Sequence, residues 1–421
     1  MMEQGNFKLN TLTILIDGEE VPVSPNNVLA LRYVEDIRRA SVHLDITLTD
    51  SEGGELSKIF GNELIGVEFE DHKGNVIALD LIVYQVANRE IVGGKQSKGT
   101  LKCCNRDITN SAGLLISSQY EDKNITEIVE GLLKEPLVSQ IPIVKMDKCI
   151  NKITFATNYW NPIKIIQWLT DKAIYAESSG KSATAGFVFF ETRRGYHWRA
   201  LDSLVKDEPR YQLKMGVEVE PEDLDAGTLI ELSNINVKET SNVLQGFNYG
   251  SYVSRVTTFD IGTQSVDDFD FSAKDLYNDI PKLNEGELPR SYDAMSTKTP
   301  TRIMTKVINS KLFNAGEYTK DLSKILSQAS FRNKMFFNKE VEAEFIGLQT
   351  IEVGDVVELE NYIGQTREKD PINSGKYIVG RIMREYISSD DTMKTRLTLF
   401  NDSLGTGRET SQTNSVTELL R

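Results

Sequence analysis

The chain has 421 residues, of which 39% are hydrophobic and 26% are charged, and its formal net charge is −14 at pH 7. This length exceeds one compact core and predicts two to four domains of ordinary globular composition. The negative charge disfavours tight binding to nucleic acid or to an anionic membrane, and it suits either simple solubility or a surface along which DNA slides without sticking.

Residues 7–108 show the pattern of closely spaced β-strands. The segment SVHLDITLTD alternates strictly, with Val42, Leu44, Ile46 and Leu48 on one face and polar residues on the other. An Asp-Gly turn signal ends FKLNTLTILIDG, and a Lys-Gly-Asn turn divides IGVEFEDHKGNVIALDLIVYQVA. Such a series of short strands predicts a small barrel or sandwich.

Two helices are predicted near the middle of the chain. In NITEIVEGLLKEPL the apolar residues recur at helical spacing, Thr126 is the expected N-cap, and Pro136 is expected to end the helix. In WNPIKIIQWLTDKAI, Asn161 is the expected cap and Pro162 takes the first helical position. Helical and strand patterns together predict an α+β domain here.

The rest of this domain and of the chain returns to strand patterns. A loop, ESSGKSATAG, precedes a strand pair that turns at Arg194-Gly195. Residues 228–262 have the pattern of β-strands, and this pattern resumes from Glu340. Residues 265–335 are polar and contain one predicted helix, TKDLSKILSQASFRNKMFF. The polar C-terminal letters GTGRETSQTNSVTELLR are expected to be mobile. The similar texture of the two strand-rich blocks suggests a large internal duplication interrupted by an insertion.

Metal and thiol chemistry finds little support in the sequence. The three histidines, His43, His72 and His197, lack helical metal-ligand spacing; His43 is expected to be solvated and His197 to pack within GYHWR. The three cysteines follow no CxxC pattern and are interpreted as buried free thiols: Cys103, Cys104 and Cys149. No run of eighteen apolar residues predicts a membrane span, and the letters MMEQGNFKLN do not predict general secretory export.

Enzymatic signatures are equally scarce. A G-x-S-x-G elbow is missing, and Gly93-Gly94-Lys95 has the pattern of a hairpin tip rather than of a phosphate-binding loop. Glu177 and Glu191 flank the serine-rich loop and are the acid pair that a glycosidase would need, although chance explains such a pair better. The tryptophans are interpreted as core residues rather than stacking platforms: Trp160, Trp168 and Trp198.

Two regions carry ordered sets of motifs. The first reads ITEIVEGLLKE, ITFATNYWNPIKIIQWLTDKA and GFVFFETRRGYHWRALDSL; the second reads IEVGDVVELE, DPINSGKYIVGRIMREY and TRLTLFNDSLG. In order, spacing and overall length the chain resembles the baseplate hub proteins of contractile-tailed phages. The resemblance covers most of residues 7–405 and is strongest over 153–205 and 351–405.

This resemblance implies a mainly β fold with α+β insertions, made of two tail-tube-like antiparallel β-barrel domains plus two smaller accessory domains. It further implies a homotrimer whose barrels form a pseudo-sixfold ring between a hexameric tail tube and a trimeric spike. The hub portion of VgrG spike proteins is similar. Without a long β-needle or a lysozyme insert, the chain is expected to be a stand-alone hub whose spike is a separate protein.

The expected domain boundaries follow from the resemblance and the texture of the chain. In the second barrel, Gly354 and Asp355 are expected in one tight turn and Gly375 in another, because glycine takes positive φ at little cost. The boundaries are 7–108 for the first barrel, 109–210 for the α+β domain, 211–250 with 336–403 for the second barrel, 251–335 for an inserted accessory domain, and 404–421 for a flexible tail.

A structural role is therefore predicted, with no catalytic, cofactor-binding or metal-binding residues. The expected partners are two further copies of the chain, a central spike protein, a tail tube or tube-initiator protein and other baseplate proteins. DNA is expected only in transit through a lumen lined by Asp and Glu, and the chain is not expected to insert into a membrane. The expected location is the virion tail baseplate, assembled in the host cytoplasm. The alternatives are a tail-associated hydrolase of cell wall or polysaccharide, and a receptor-binding tail protein.

Overall fold

Strands are the main elements of the chain in its computed structural model, as predicted. The structure describes residues 7–51, 54–71, 74–92, 96–177, 185–215, 228–239, 244, 253–284, 302–314, 322–337, 339–363, 368–370, 372–390 and 392–403. Among the predicted features, His72, the Gly93-Gly94-Lys95 tip, most of the serine-rich loop and the tail 404–421 lie outside these residues.

Seven strands enclose the first hydrophobic core, in the order β3-β4-β7-β6-β5-β1-β2 and with every neighbour antiparallel. The predicted alternation in β4 is confirmed, since Val42 and its apolar partners along the strand are buried while His43 and the other polar residues are half-buried. The bounds are β1 Phe7–Ile16, β2 Glu19–Pro22, β3 Val28–Asp36, β4 His43–Ser51, β5 Leu64–Asp71, β6 Val76–Val92 and β7 Gln96–Cys104, with short 3-10 turns at Pro25–Asn27 and Glu55–Lys58.

The next region combines helices with two small sheets around a separate core that contains Trp198. Strand β12 pairs antiparallel with β11 and parallel with β9, and β10 pairs with β8. The bounds are α1 Arg106–Gly113, β8 Gln119–Asn124, α2 Ile125–Lys134, β9 Ile143–Met146, β10 Lys152–Ala156, α3 Pro162–Leu169, β11 Phe187–Thr192, β12 Gly195–Ala200 and α4 Leu201–Leu204.

The helix caps show one success and one error of the sequence prediction. Asn161 caps α3 by accepting a hydrogen bond from the backbone N–H of Lys164, as predicted. The predicted cap of α2, Thr126, is wrong: Asn124 takes that position and accepts from the Thr126 N–H at 2.9 Å. The Thr126 hydroxyl instead accepts from the backbone N–H of Cys149 at 3.0 Å, a distant contact that local spacing could not reveal.

The second half of the chain contains a second set of strands around its own core, and a smaller sheet. The two large sets of strands are termed the first and second barrels. The barrel order is β15-β20-β24-β23-β21-β13-β14, antiparallel except that β13 runs parallel to both of its neighbours. The smaller sheet has the order β17-β16-β18. The bounds are β13 Tyr211–Met215, β14 Leu229–Glu231, β15 Asn234–Glu239, β16 Val253–Asp260, β17 Ser265–Ser272, α5 Ala273–Asp279, β18 Arg302–Ile308, a 3-10 turn at Ser310–Leu312, β19 Phe313–Asn314, α6 Leu322–Phe336, β20 Lys339–Ile346, β21 Val356–Ile363, β22 Glu368–Lys369, β23 Gly375–Ile387 and β24 Thr392–Asn401.

An internal duplication relates the two barrels. Five strands of the first barrel, in the spatial order β3-β4-β7-β6-β5, correspond to β15-β20-β24-β23-β21 of the second, and each set occurs in the same chain order. A register shift lies between Val83 and Gln85 where β6 meets β7, and a matching shift lies between Val379 and Arg381 where β23 meets β24. The suggestion of a duplication interrupted by an insertion is therefore supported by topology and register.

The turns before β5 and β21 repeat this correspondence in detail. Asn62 has φ +82° and donates its backbone N–H to the Val83 carbonyl at 2.6 Å. Gly354 has φ +89° and donates in the same way to the Val379 carbonyl at 2.8 Å. The tight turn predicted at Gly354 is confirmed, and Gly375 at the start of β23 also has positive φ, at +134°.

Candidate assembly surfaces

The two barrels are joined through one pair of strands. Residues Arg381–Ile387 of β23 run antiparallel to Ala30–Asp36 of β3, whereas the beginning of β23 pairs with β21 of its own barrel. Strand β24 accompanies β23 along most of its length. A continuous sheet therefore runs in the order β15-β20-β24-β23-β3-β4-β7-β6, and these eight strands are termed the inner sheet.

A buried ion pair lies on the core side of this joint. Both Glu35 and Arg384 are fully buried, and Arg384 Nη1 lies 3.7 Å from Glu35 Oε1. The Tyr33 hydroxyl donates to that same oxygen at 2.8 Å, and the Val353 N–H donates to the other oxygen at 3.2 Å. Burial raises the pKa of the Glu35 carboxyl, and the nearby Arg384 guanidinium opposes this rise. The pair thus ties β3 of the first barrel to β23 and to the turn before β21 of the second.

The tip of the β11–β12 hairpin is clamped onto the second barrel by a buried carboxylate. Arg193 Nε and Arg194 Nε donate to the two oxygens of Glu352 at 2.9 and 2.5 Å. Next to this clamp, a Cβ on Gly354 would lie 2.9 Å from Cζ of Phe190, so the turn and the hairpin are in close contact. The α+β region is therefore fixed to the second barrel by charge and by packing.

A second buried carboxylate, Glu191, connects the α+β region with the first barrel. The backbone N–H of Val42 and the side-chain amide of Asn105 donate to Glu191 Oε2 at 2.8 and 2.5 Å. Burial raises the pKa of the Glu191 carboxyl to about 8, and the neighbouring carboxylates of Asp107 and Glu35 add to the rise. Glu191 also lines a cleft of about 880 Å³ between this hairpin and the first barrel.

The inner sheet has two open edges in the part of the chain that the structure describes. Strand β5 pairs with β6 only over Val76–Ile82, so Tyr84–Val92 has β7 as its one partner strand. At the opposite end, β15 pairs with β20 alone. Ile91 on the first of these edges is 67% exposed. Unpaired backbone groups beside an exposed apolar side chain are features of strands that add a further strand.

The solvent face of the inner sheet carries charges of both signs. Along β20, alternate residues place Glu340, Glu342 and Glu344 on this face, and the neighbouring β24 places Lys394 and Arg396 there. Arg396 Nε lies 2.5 Å from Glu344 Oε1. Acidic and basic side chains therefore lie on neighbouring strands of this face.

Among the described residues, no group of three or more histidine, cysteine, aspartate or glutamate side chains is placed to hold a metal ion. Within the same residues, none of the helices has both the length and the apolar character needed to cross a bilayer. The features that stand out are thus the joint, the buried carboxylates and the open strand edges.

Comparison with solved structures supports the strand arrangement. The 43 kDa tail protein of prophage MuSo2 from Shewanella oneidensis aligns with a TM-score of 0.54 at 8% identity, over 93% of this chain and 98% of that one. The tail protein of Neisseria meningitidis MC58 aligns with a TM-score of 0.55 at 10% identity, over 95% of this chain and 98% of that one. The chain has the fold of a phage tail protein.

The expected resemblance to tail proteins is thereby confirmed at the level of the fold. The half-lidded PdpA–VgrG complex of Francisella aligns with a TM-score of only 0.48, at 10% identity, over 98% of this chain and 60% of that one. Neither a family model nor a curated protein matches the sequence. The mainly β architecture predicted from the sequence is also confirmed.

The structure does not bring the candidate acid pair together. Glu177 is exposed and lies beside the hydroxyl of Tyr175, whose ring contacts Phe187 at the start of β11. Glu191 lies four residues beyond Phe187 on β11, which places it roughly 13 Å along the strand from Phe187. The two carboxylates have separate partners, and Glu191 is committed to hydrogen bonds with Val42 and Asn105.

The two described histidines both lie against aromatic rings. His197 stacks on Phe190 with ring centroids 4.8 Å apart and shares a hydrogen bond with Thr192, so its predicted packing role is confirmed. Burial lowers the pKa of His197 to about 3, helped by nearby Arg and Lys side chains. His43 is half-buried against the ring of Tyr84 rather than fully solvated as expected, and burial lowers its pKa.

The tryptophans and cysteines lie in or against the cores, as predicted. Trp198 is fully buried and stacks on Phe187 at 4.9 Å. Trp160 and Trp168 pack edge to face on each other and lie partly buried against the same core. The cysteines are buried free thiols, and burial raises the pKa of each: Cys103, Cys104 and Cys149.

Sequence reasoning missed the charged residues of the joint. Glu35 shares the core-facing register of β3 with Leu31 and Tyr33, so a charge in an apolar position was the available signal. A charge in such a position requires a buried partner, which here is Arg384. Its identity could not be read from spacing because the two residues belong to opposite ends of the chain.

Proposed function

We propose that this chain is a structural baseplate hub subunit of a contractile phage tail or a related injection machine. Three copies form a pseudo-sixfold ring that joins the tail tube to the central spike and leaves a channel for DNA during genome ejection. The protein acts through its surfaces and requires no catalytic residue or cofactor. The fold shared with phage tail proteins and the duplicated barrels support this proposal.

The proposal rests on one observation: the strands at the two open edges are equivalent to the two strands that pair in the internal joint. Within the chain, the second half of β23 pairs with β3. Under the duplication, β6 corresponds to β23 and β15 corresponds to β3. The open edge Tyr84–Val92 of one copy therefore pairs with β15 of the next copy in the same way as β23 pairs with β3.

This contact is head-to-tail, and repeated contacts of that kind close into a ring when the rotation between copies permits. Three copies would close a barrel of about twenty-four strands, roughly 37 Å across between backbones before any strand tilt. The hydrophobic cores and the α+β region lie on one side of the inner sheet. The opposite, solvent-exposed face of the inner sheet then lines the channel. The cores and the α+β region must lie outside the ring, because a channel of this diameter has no room for them.

In this proposal the barrels comprise 7–108 and 211–250 with 336–403, and the accessory domains comprise 109–210 and 251–335. The partners are the other two copies, a central spike protein, a tail tube or tube-initiator protein and further baseplate proteins. The assembly belongs to the virion tail baseplate and forms in the host cytoplasm. Closing both open edges also protects the sheet from uncontrolled strand pairing.

Disulfide trapping tests the ring. Ala87 of β6 corresponds to Met383. Glu239 of β15 corresponds to Val34, because Glu239 lies opposite Glu340 as Val34 lies opposite the equivalent His43. Met383 and Val34 lie opposite each other in the joint. The double variant Ala87→Cys/Glu239→Cys should therefore form disulfides between copies on mild oxidation, giving closed covalent trimers on a non-reducing gel. The native cysteines are buried and should not interfere.

The matched control moves one cysteine along the same strand. Ala87→Cys/Asn234→Cys places the second thiol five residues away, which is four ladder positions or roughly 13 Å along the sheet and too far for a disulfide. Its oxidised product should stay monomeric on the gel. Monomers or two-copy species alone from the first variant, or equal cross-linking in both variants, would contradict the ring.

A further inference from the structure

We infer that the channel wall is charge-compensated strand by strand, so that a translocating polyanion such as DNA is neither held nor repelled by it. This inference rests on the proposed ring, because it concerns the face that the ring turns inward. It replaces the expectation of an acidic lumen. Its basis is the pairing of charges on the solvent face of the inner sheet.

Ion pairs between neighbouring strands occur in the second barrel and across the joint. In the second barrel, Lys238 Nζ lies 3.0 Å from Glu342 Oε2, and Arg396 pairs with Glu344. Across the joint, Arg32 Nη2 lies 2.6 Å from Glu385 Oε1. Each of these pairs links two different strands of the inner sheet, so opposite charges alternate across the sheet.

Strand register places further opposite charges side by side. Asp36 lies opposite Arg381 across the joint, and Asp45 of β4 lies opposite Lys102 of β7. At the open edge of the first barrel, Glu90 of β6 lies opposite Lys98 of β7. Opposite charges at directly facing positions attract, whereas like charges there would be unfavourable.

The charged residues that make these pairs or lie beside them are balanced. Seven are acidic and seven are basic, although the chain has a net charge of −14. The acids are Asp36, Asp45, Glu90, Glu340, Glu342, Glu344 and Glu385, and the bases are Arg32, Lys98, Lys102, Lys238, Arg381, Lys394 and Arg396.

Opposite charges on neighbouring strands cancel most of the electrostatic field that DNA would experience in the channel. Charges that alternate over one strand spacing cancel beyond a few ångströms, and physiological salt screens the remainder with a Debye length of about 8 Å. A basic wall would instead hold DNA by releasing its counterions, with strong salt dependence. An acidic wall would oppose entry of the polyanion. A neutral wall avoids both costs during passage.

The inference is tested by removing acidic charges from the channel wall of the disulfide-closed ring. The variant Glu340→Gln/Glu342→Gln/Glu344→Gln removes the acidic partners of Lys238 in β15 and Arg396 in β24. The parent ring should not shift a short DNA duplex on a native gel. The triple variant should bind the duplex, with affinity falling roughly 40-fold between about 50 and 200 mM salt if about three phosphates are contacted.

A matched control removes three exposed acids away from the inner sheet, in the variant Glu19→Gln/Glu20→Gln/Glu121→Gln. It lowers the net negative charge equally and should leave DNA unbound. The inference is overturned if the parent ring binds DNA, if the control binds as tightly as the wall variant, or if a closed ring of the wall variant ignores DNA. Failure to form the covalent ring would instead count against the proposed function, so the two outcomes are distinguishable.

Discussion

Arg384 and Glu35 form a fully buried ion pair, with Nη1 and Oε1 3.7 Å apart, across the strands that join the two barrels. Arg384 Nη2 also donates to the Ile351 carbonyl at 2.8 Å, so the guanidinium holds the chain just before the turn at Gly354. One residue from each half of a duplicated structure thus fixes the geometry of the internal joint. In the proposed ring this joint is the template for every contact between copies.

Replacing Arg384 should destabilise the protein strongly. Arg384→Met leaves the Glu35 carboxylate buried without its cation, and we expect the free energy of unfolding to fall by about 3–5 kcal/mol, measured by urea denaturation. The matched control is Arg32→Met, which breaks the exposed pair with Glu385 in the same joint and should cost less than about 1 kcal/mol. Equal losses in the two variants would show that burial of the pair contributes nothing.

Glu191 should make stability depend on pH. Its pKa is raised to about 8 in the folded state, so the folded protein binds more protons than the unfolded chain between the ordinary carboxyl range and pH 8. The resulting stabilisation is complete at low pH and is lost as the pH rises from about 4.5 to about 8, by up to about 1.4 kcal/mol per pH unit.

The variant Glu191→Gln keeps an acceptor for the N–H of Val42 and removes the titration. Thermal unfolding from pH 5 to 9 should show the variant gaining stability relative to the parent as the pH rises. Glu177→Gln removes one exposed carboxylate and serves as the control for the change in net charge. A parallel profile for Glu191→Gln and the parent would refute the assignment.

Gly354→Ala should be more harmful than the same change at Gly18. Both glycines have φ near +90°, at +89° and +88°, so an alanine is strained at either position. The Cβ at position 354 would also lie 2.9 Å from Cζ of Phe190, whereas nothing lies within 4 Å of the one at position 18. We expect an extra loss of about 1–3 kcal/mol in unfolding free energy for Gly354→Ala. Equal losses would mean that the hairpin moves aside freely.

The capping assignment in α2 can be checked in the same way. Asn124→Ala removes the acceptor for the Thr126 N–H and a donor to the Cys149 carbonyl, so it should lower the unfolding free energy by about 1–2 kcal/mol. Asn161→Ala at the confirmed cap of α3 serves as the comparison. No loss for Asn124→Ala beside a clear loss for Asn161→Ala would place the cap of α2 elsewhere.

Local patterns were sufficient for much of the fold. The alternation from Val42 to Leu48 gave the faces of β4, and Asn161 with Pro162 gave the start of α3, because both signals act within a few residues. The same reasoning failed at Thr126, where a contact with Cys149 decides what the hydroxyl does. It also offered Glu177 and Glu191 as a pair on proximity in sequence, and the direction of β11 separates them.

By itself, the sequence determined the β-rich class, the helices of the α+β region and the likeness to tail proteins, since periodicity, caps and motif order are written along the chain. Only the tertiary structure decided the Glu35–Arg384 joint, the equivalence of the barrels, the two open edges and the balanced charges of the inner sheet. The physical reason is that strand pairing joins residues hundreds of positions apart. A shift of one residue in that pairing moves every side chain to the opposite face.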